Sequence, residues 1–278
     1  MRQFWIKNAK GQVFDMNRED AFFSNPKGLG ISRKTTYDRA GYFWMERESV
    51  LSQKKPSGNM VFDGYEQYDE FLKIIRHTPV TLIYQPLDTM YFMDVNTFTI
   101  DKGDISHRDC FLTCKVTFDG SSPWYTTKKV MRQETGQSAK IYSYQYPYSY
   151  MDYSVGEADL VNESGMDAYC KLVIYGPLKA PFWRLYQDNA VVSDGAMFSE
   201  ISADSCLVVD ANPQKYEIAE YSLAEYGIAG EKIRDRYEES DFDTGRFLYL
   251  PQGKTKLRIS HAGSAKVRFC VEVTEFAG

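Results

Sequence analysis

A mainly β fold in two domains is what this sequence predicts, and three observations carry that prediction. Tyrosine and phenylalanine are abundant, at 21 and 17 of 278 residues, and such flat side chains suit a pleated, half-buried surface. Short apolar runs of period two recur along the chain, separated by Gly, Pro and Asn. One stretch alone has a clear helical period, and 278 residues exceed the roughly 100–200 of a usual single domain.

The chain opens with a predicted hairpin over residues 2–7 and 12–14, in which Gly11 supplies the positive φ of a tight turn. Residues Arg33 to Arg39 read as a loop leading into an aromatic strand at Tyr42-Phe43-Trp44-Met45, and Gly58 to Phe62 as another strand. The helix starts at Asp63, whose carboxylate is placed to cap it while Glu66 reaches back as in a capping box. Tyr68, Phe71, Leu72 and Ile75 then share one face, and Pro79 marks the stop. Period two resumes in Val80 to Tyr84, Met90 to Ile100 and Cys110 to Phe118. The last of these sets Cys110 and Cys114 about 13 Å apart on one face, too far to bridge.

Residues 126–140 are polar and without period, which predicts a linker or exposed loop and divides the chain into domains 1–130 and 131–278. Tyr142, Tyr144, Tyr146, Tyr148 and Tyr150 then alternate with small or polar residues. Such a segment is an edge strand packing its rings on its own domain, or an interface with another subunit; Pro147 favours an edge over a central strand. Strand-like runs follow at β-sandwich spacing: Cys170 to Tyr175, Pro181 to Tyr186, Ser205 to Asp210, Phe247 to Leu250, Lys256 to Ser260 and Ala265 to Glu275. In the final strand Ala265, Val267, Phe269, Val271 and Val273 are expected inside, with Lys266, Arg268, Cys270, Glu272 and Thr274 wet. Ser222 to Glu239 reads as an inserted loop with a turn or two of helix.

The composition excludes several function classes. A net charge of −5 lacks the positive field that a phosphate-backbone binder needs, so no nucleic acid is expected as partner. Residues 1–10 lack the apolar core of a signal peptide, and no stretch reaches the ~18 apolar residues of a membrane span, so no membrane insertion is expected. The expectation is a chain made and folded in a cytosol. The odd set Cys110, Cys114, Cys170, Cys206 and Cys270, without a C-x-x-C pair, reads as reduced packing thiols.

Chemistry-bearing patterns are equally sparse. His77, His107 and His261 stand far apart without a ligand-type neighbour, and the acidic run Asp235 to Asp243 lacks the register of a calcium loop, so no metal site is expected. Gly28-Leu29-Gly30 lacks the third glycine and the preceding strand of a dinucleotide loop, and no serine-hydrolase elbow occurs. No catalytic residue and no cofactor are therefore assigned, and the chain is expected not to be an enzyme. A tail-associated wall hydrolase finds no support in the sequence.

Several segments taken together resemble the distal tail proteins of long-tailed bacteriophages and prophages of Gram-positive bacteria. In the first half they are Phe62-Asp63-Gly64-Tyr65, Phe71-Leu72-Lys73-Ile74-Ile75, Leu82-Ile83-Tyr84-Gln85-Pro86, Tyr91-Phe92-Met93-Asp94-Val95 and Pro123-Trp124-Tyr125. The second half adds Ile174-Tyr175-Gly176-Pro177, Pro181-Phe182-Trp183, Leu207-Val208-Val209-Asp210 and Phe247-Leu248-Tyr249-Leu250-Pro251-Gln252-Gly253. Residues 222–243 depart from the family pattern by being longer and more charged.

The resemblance implies a tail-tube-like N-terminal β domain with one helix that closes into a homo-hexameric ring, and a galectin-like C-terminal β-sandwich. It also implies a baseplate hub in the virion tail, assembled in the host cytoplasm, that joins the tail tube to the tip and docks receptor-binding proteins. A carbohydrate-binding sandwich is the rival, with Trp183, Tyr186 or the Tyr142 to Tyr150 ladder as sugar platforms; for Trp183 core packing competes with that role.

Overall fold

The computed structural model describes residues 2–105, 111–133, 153–225, 228–263 and 265–276. His107, Cys110 and the Tyr142 to Tyr150 ladder lie outside them, as do residues 134–140 of the expected linker. The chain divides into two compact units, residues 1–126 with 276–278, and residues 127–275. Strands dominate both, as the composition predicts, and no helix among the described residues is long and apolar enough to cross a membrane.

The first unit holds β1 (Gln3–Asn8), β2 (Val13–Asp15), β3 (Ala21–Lys27), β4 (Arg33–Ala40), β5 (Phe43–Leu51), β6 (Ser57–Phe62), α1 (Tyr65–Ile75), β7 (Val80–Gln85), β8 (Tyr91–Ile105) and β9 (Leu112–Gly120). Its sheet runs β2-β1-β7-β8-β9-β6-β3, every neighbour antiparallel. It curls back on itself, because the Phe23 amide donates to the Met16 carbonyl and Asn17 bridges Phe22. The β1–β2 hairpin forms as predicted, with Gly11 at φ 80°. In β9 the alternation is faithful: Leu112, Cys114, Val116 and Phe118 face the core and the residues between them point away from it.

Helix α1 closes the curled sheet with its predicted face. Phe71 and Ile75 are fully buried, and Phe71 meets the rings of Phe14 and Phe62 at 5.3 and 5.5 Å. Its start differs from the prediction. Gly64 is the N-cap, at φ 111°, a conformation that only glycine reaches at little cost, and no side chain caps the helix. The Asp63 amide donates instead to the Asp20 carbonyl at 2.8 Å, so Asp63 ends the preceding strand connection rather than opening the helix.

The second unit begins with β10 (Tyr125–Gln133), whose first residues belong to the first unit. There follow β11 (Tyr153–Asn162), β12 (Ala168–Tyr175), β13 (Leu178–Lys179), β14 (Phe182–Gln187), β15 (Ala190–Ala196), β16 (Glu200–Ile201), β17 (Ser205–Asp210), β18 (Glu217–Glu225) and β19 (Ile228–Asp235). A 3-10 turn at Tyr237–Glu239 leads to β20 (Tyr249–Leu250), β21 (Gly253–Ala262) and β22 (Arg268–Phe276). One sheet runs β19-β18-β17-β12-β22-β10 and a four-stranded sheet runs β11-β21-β14-β15. Their inner faces share one core, in which Trp183, Leu185, Leu257 and Ile259 meet Leu172, Ile174, Leu207 and Phe269.

Three expectations for this half are corrected. Residues 126–133 are strand rather than linker: β10 lies beside β22, with Lys128 and Lys129 2.9 and 3.0 Å from Glu275 and Glu272. The stretch read as an inserted loop is the antiparallel pair β18–β19, kept in strand form by pairing with β17. Cys270 is buried rather than wet, because Val173, Tyr175, Cys206 and Val208 form a second apolar cluster on that face, against which Tyr221 packs.

Candidate assembly interface

Strands β4 and β5, where the sequence suggests a loop and a short strand, pair only with each other and form a free-standing two-stranded arm. Ala40 pairs Phe43, which leaves a two-residue loop whose first position, Gly41, has φ 64°, as a primed turn demands. Beyond the backbone ladder, few side-chain bonds hold the arm: Thr35 and Ser49 hydroxyls lie 3.2 Å apart, and Arg39 Nε donates to the Gly41 carbonyl at 3.0 Å. Its base is anchored better. The Ser52 amide donates to the Ser32 carbonyl at 2.9 Å, and Gln53 Nε2 donates to the Gly120 carbonyl at 3.0 Å.

Both faces of the arm are in solvent, and its apolar side chains gather at the tip. Tyr42, Phe43, Trp44 and Met45 are 95, 76, 69 and 61 % exposed. An isolated two-stranded hairpin is marginally stable in water, and an apolar patch of this kind marks a contact surface. The tip of the arm is therefore the candidate contact surface of the first unit. Mixed charges along the arm, such as Asp38 and Arg47 at 3.9 Å, discourage indiscriminate strand-to-strand pairing.

Residues of the types that carry chemistry are otherwise engaged. His77 Nε2 stands 3.3 Å from Lys10 Nζ, and His261 is buried with its ring nitrogens 3.1 and 2.8 Å from the carbonyls of Ala262 and Ala265. In the acidic run, Asp235 and Asp241 accept from the amides of Tyr237 and Asp243, and Glu239 pairs with Arg236. No group of His, Cys, Asp and Glu side chains among the described residues is arranged to hold a metal ion. The four described cysteines are free and buried; burial pushes the Cys170 thiol up to about 12 and the Cys206 thiol to about 11, far from thiolate chemistry at neutral pH. Trp183 is fully buried, so it offers no sugar platform, whereas Tyr186 is half-buried beside an open pocket.

Residues 3–121 match the family model of the distal tail protein N-terminal domain. Two chains of the phage P2 baseplate in its activated conformation, one with calcium and one with strontium, share the fold at TM-scores of 0.68 and 0.65, with 13 and 15 % identity. The match covers 100 % of this chain and 99 % of that one in the first case, and 98 % of both in the second. The phage SPP1 Dit protein, described as a paradigm of the hub adsorption apparatus in phages that infect Gram-positive bacteria, matches at 0.56 with 14 % identity and 98 % coverage of both chains. No curated protein matches the sequence.

The class these findings define is a β-rich fold shared over nearly the whole chain with phage baseplate and hub proteins. The match over residues 3–121 to the N-terminal domain model of the distal tail proteins agrees with the resemblance read from the segments of the first half. What sequence reasoning missed is the β4–β5 arm; the exposed Tyr42-Phe43-Trp44 run between two charged, unpatterned stretches is the signal that marks it.

Proposed function

We propose that this protein is a non-enzymatic distal tail, or baseplate hub, protein of the virion tail, assembled in the host bacterium's cytoplasm. Its first unit closes with copies of itself into a homo-hexameric ring between the tail tube and the tip, and its second unit docks receptor-binding proteins. The observation that carries the reading is the β4–β5 arm, an apolar-tipped hairpin that a neighbouring subunit would cover. A head-to-tail contact of this kind, an arm on one subunit against a different surface of the next, generates a ring when its rotation closes. The galectin-like reading of the second unit rests on the family resemblance together with its two facing sheets.

Light scattering after gel filtration, at several protein concentrations and with negative-stain imaging, tests the proposal. A hexamer or stacked-hexamer mass with a central hole supports it. A monomer at every concentration, alone and with the cognate tail-tube protein, counts against the ring. The variant carrying Phe43→Ser and Trp44→Ser should stay folded and lose assembly; unchanged assembly would move the ring contact elsewhere.

A further inference from the structure

The outer face of the four-stranded sheet carries an open pocket of about 660 Å³, within the ~300–1,000 Å³ range of small-ligand sites. Its charges follow from the register. Asp159 on β11 is opposite Lys256 on β21, which is opposite Tyr186 on β14; one row along, Glu157 is opposite Arg258. Lys254 lies beyond Lys256 on the same strand face, and Asp188 sits in the two-residue turn between β14 and β15. That turn holds Asp188 and Asn189 at φ 50° and 65°, the left-handed conformation of a type I′ hairpin that Asn and Asp tolerate, and so fixes both at the rim.

The lining thus holds three carboxylates, Glu157, Asp159 and Asp188, and three cations, Lys254, Lys256 and Arg258. They satisfy one another poorly. Glu157 stands 3.7 Å from Lys256 and 3.8 Å from Arg258, too far for hydrogen bonds, and Asp159, Asp188 and Lys254 have no ion pair among the described residues. Strands lie about 4.8 Å apart and rows about 6.7 Å apart, so donors and acceptors alternate over the span of a small ring. Because the formal charges cancel, neither a polyanion nor a polycation is favoured, while a hydroxyl, which both donates and accepts, matches each carboxylate–cation pair. Tyr186 adds a half-exposed ring on which an apolar sugar face can stack.

We propose that this pocket binds a neutral saccharide, with Tyr186 as the stacking platform and the Asp159–Lys256 and Glu157–Arg258 rows as the hydroxyl-reading groups. The site lies wholly within the second unit, and the proposal does not depend on ring assembly.

The test uses the full-length protein on an array of neutral and anionic glycans, followed by saturation-transfer NMR with lactose, maltotriose and triacetylchitotriose. Binding of at least one neutral glycan is expected, weakened about tenfold or more by Tyr186→Ala, the loss usual for truncating an aromatic anchor. Asp159→Asn, at an exposed position, should weaken it too; melting curves confirm that each variant folds. No neutral glycan bound, binding of anionic glycans alone, or binding indifferent to both pocket variants would overturn the proposal. Oligomer mass recorded on the same samples keeps this outcome separate from that of the hub reading.

Discussion

Arg236 Nη2 donates to Glu220 Oε2 at 2.6 Å, and both side chains are almost wholly removed from solvent. Glu220, on β18, also accepts from Arg236 Nε at 3.0 Å, Arg234 Nε at 3.0 Å and Ser205 Oγ at 2.6 Å. Arg236 in turn reaches the Glu200 carbonyl at 3.2 Å and the Glu239 carboxylate. One buried carboxylate thus ties together β17, β18, β19 and the turn that follows them.

Removing the buried partner of such a pair costs up to about 3–5 kcal/mol, here reduced because Arg234 and Ser205 still bond the Glu220 carboxylate. Arg236→Ala is therefore expected to lower the denaturant midpoint of the full chain markedly. Replacing both residues by apolar ones, Arg236→Met with Glu220→Leu, should recover much of that loss, because the charge that needed compensation is gone. Equal instability of the single and double variants would mean that packing, not charge, sets the cost.

The same carboxylate gives the fold an acid limit. Burial pushes the Glu220 carboxyl up, but hydrogen bonds from Ser205, Arg234 and Arg236 outweigh burial and hold it below the ordinary glutamate value. With the folded value below the unfolded one, its stabilisation is complete above the unfolded value, about 4.3, and is lost as pH falls through the folded one. Urea midpoints measured from pH 7 to 3 should show wild type losing more stability on acidification than Glu220→Gln. Parallel curves for the two would remove Glu220 from the acid response.

The thiols supply a third prediction. Cys114, Cys170, Cys206 and Cys270 are buried, and burial raises each thiol above its ordinary value. In a Cys110→Ser background, native protein should therefore not react with a thiol reagent at pH 8 on a timescale that labels unfolded chain fully. Rapid labelling of any thiol in the native state would show local opening of the strand that carries it.

How much of this was legible in the sequence depends on what holds each element. Strands buried on one face, such as β9 with Leu112, Cys114, Val116 and Phe118, declare themselves by alternation. The β4–β5 arm buries neither face, so Arg33 to Arg39 shows no alternation and reads as loop. In β10 the strand is held by Lys128 and Lys129 pairing with Glu275 and Glu272, and a polar sequence hides that pairing. Buried Glu220 likewise interrupts the apolar pattern of β18, and its partners Arg234 and Arg236 look solvated until the fold closes on them. The pocket beside Tyr186 was half legible: the ring was visible as a candidate, but the charges around it come from β11, β21 and the turn between β14 and β15, and meet only through strand register.

Trp183 carries the last prediction, because its position is fixed from two sides. Its Nε1 donates to the Arg246 carbonyl at 3.0 Å, and Arg246 itself adopts φ 65°, so the bond holds a strained turn in place. On the other side the indole lies flat against Gly195, where an added Cβ would collide with Nε1 and the neighbouring ring carbons. The indole cannot retreat without giving up its hydrogen bond, so Gly195→Ala should cost about 1–3 kcal/mol, the range of an overpacked core. Trp183→Phe should be destabilising by itself, since it leaves the Arg246 carbonyl unbonded, yet it makes room for the methyl group. In a double-mutant cycle the alanine at 195 should therefore cost less in the Trp183→Phe background than in wild type. Strict additivity would mean that the clash is relieved elsewhere and that Gly195 serves the backbone of β15 instead.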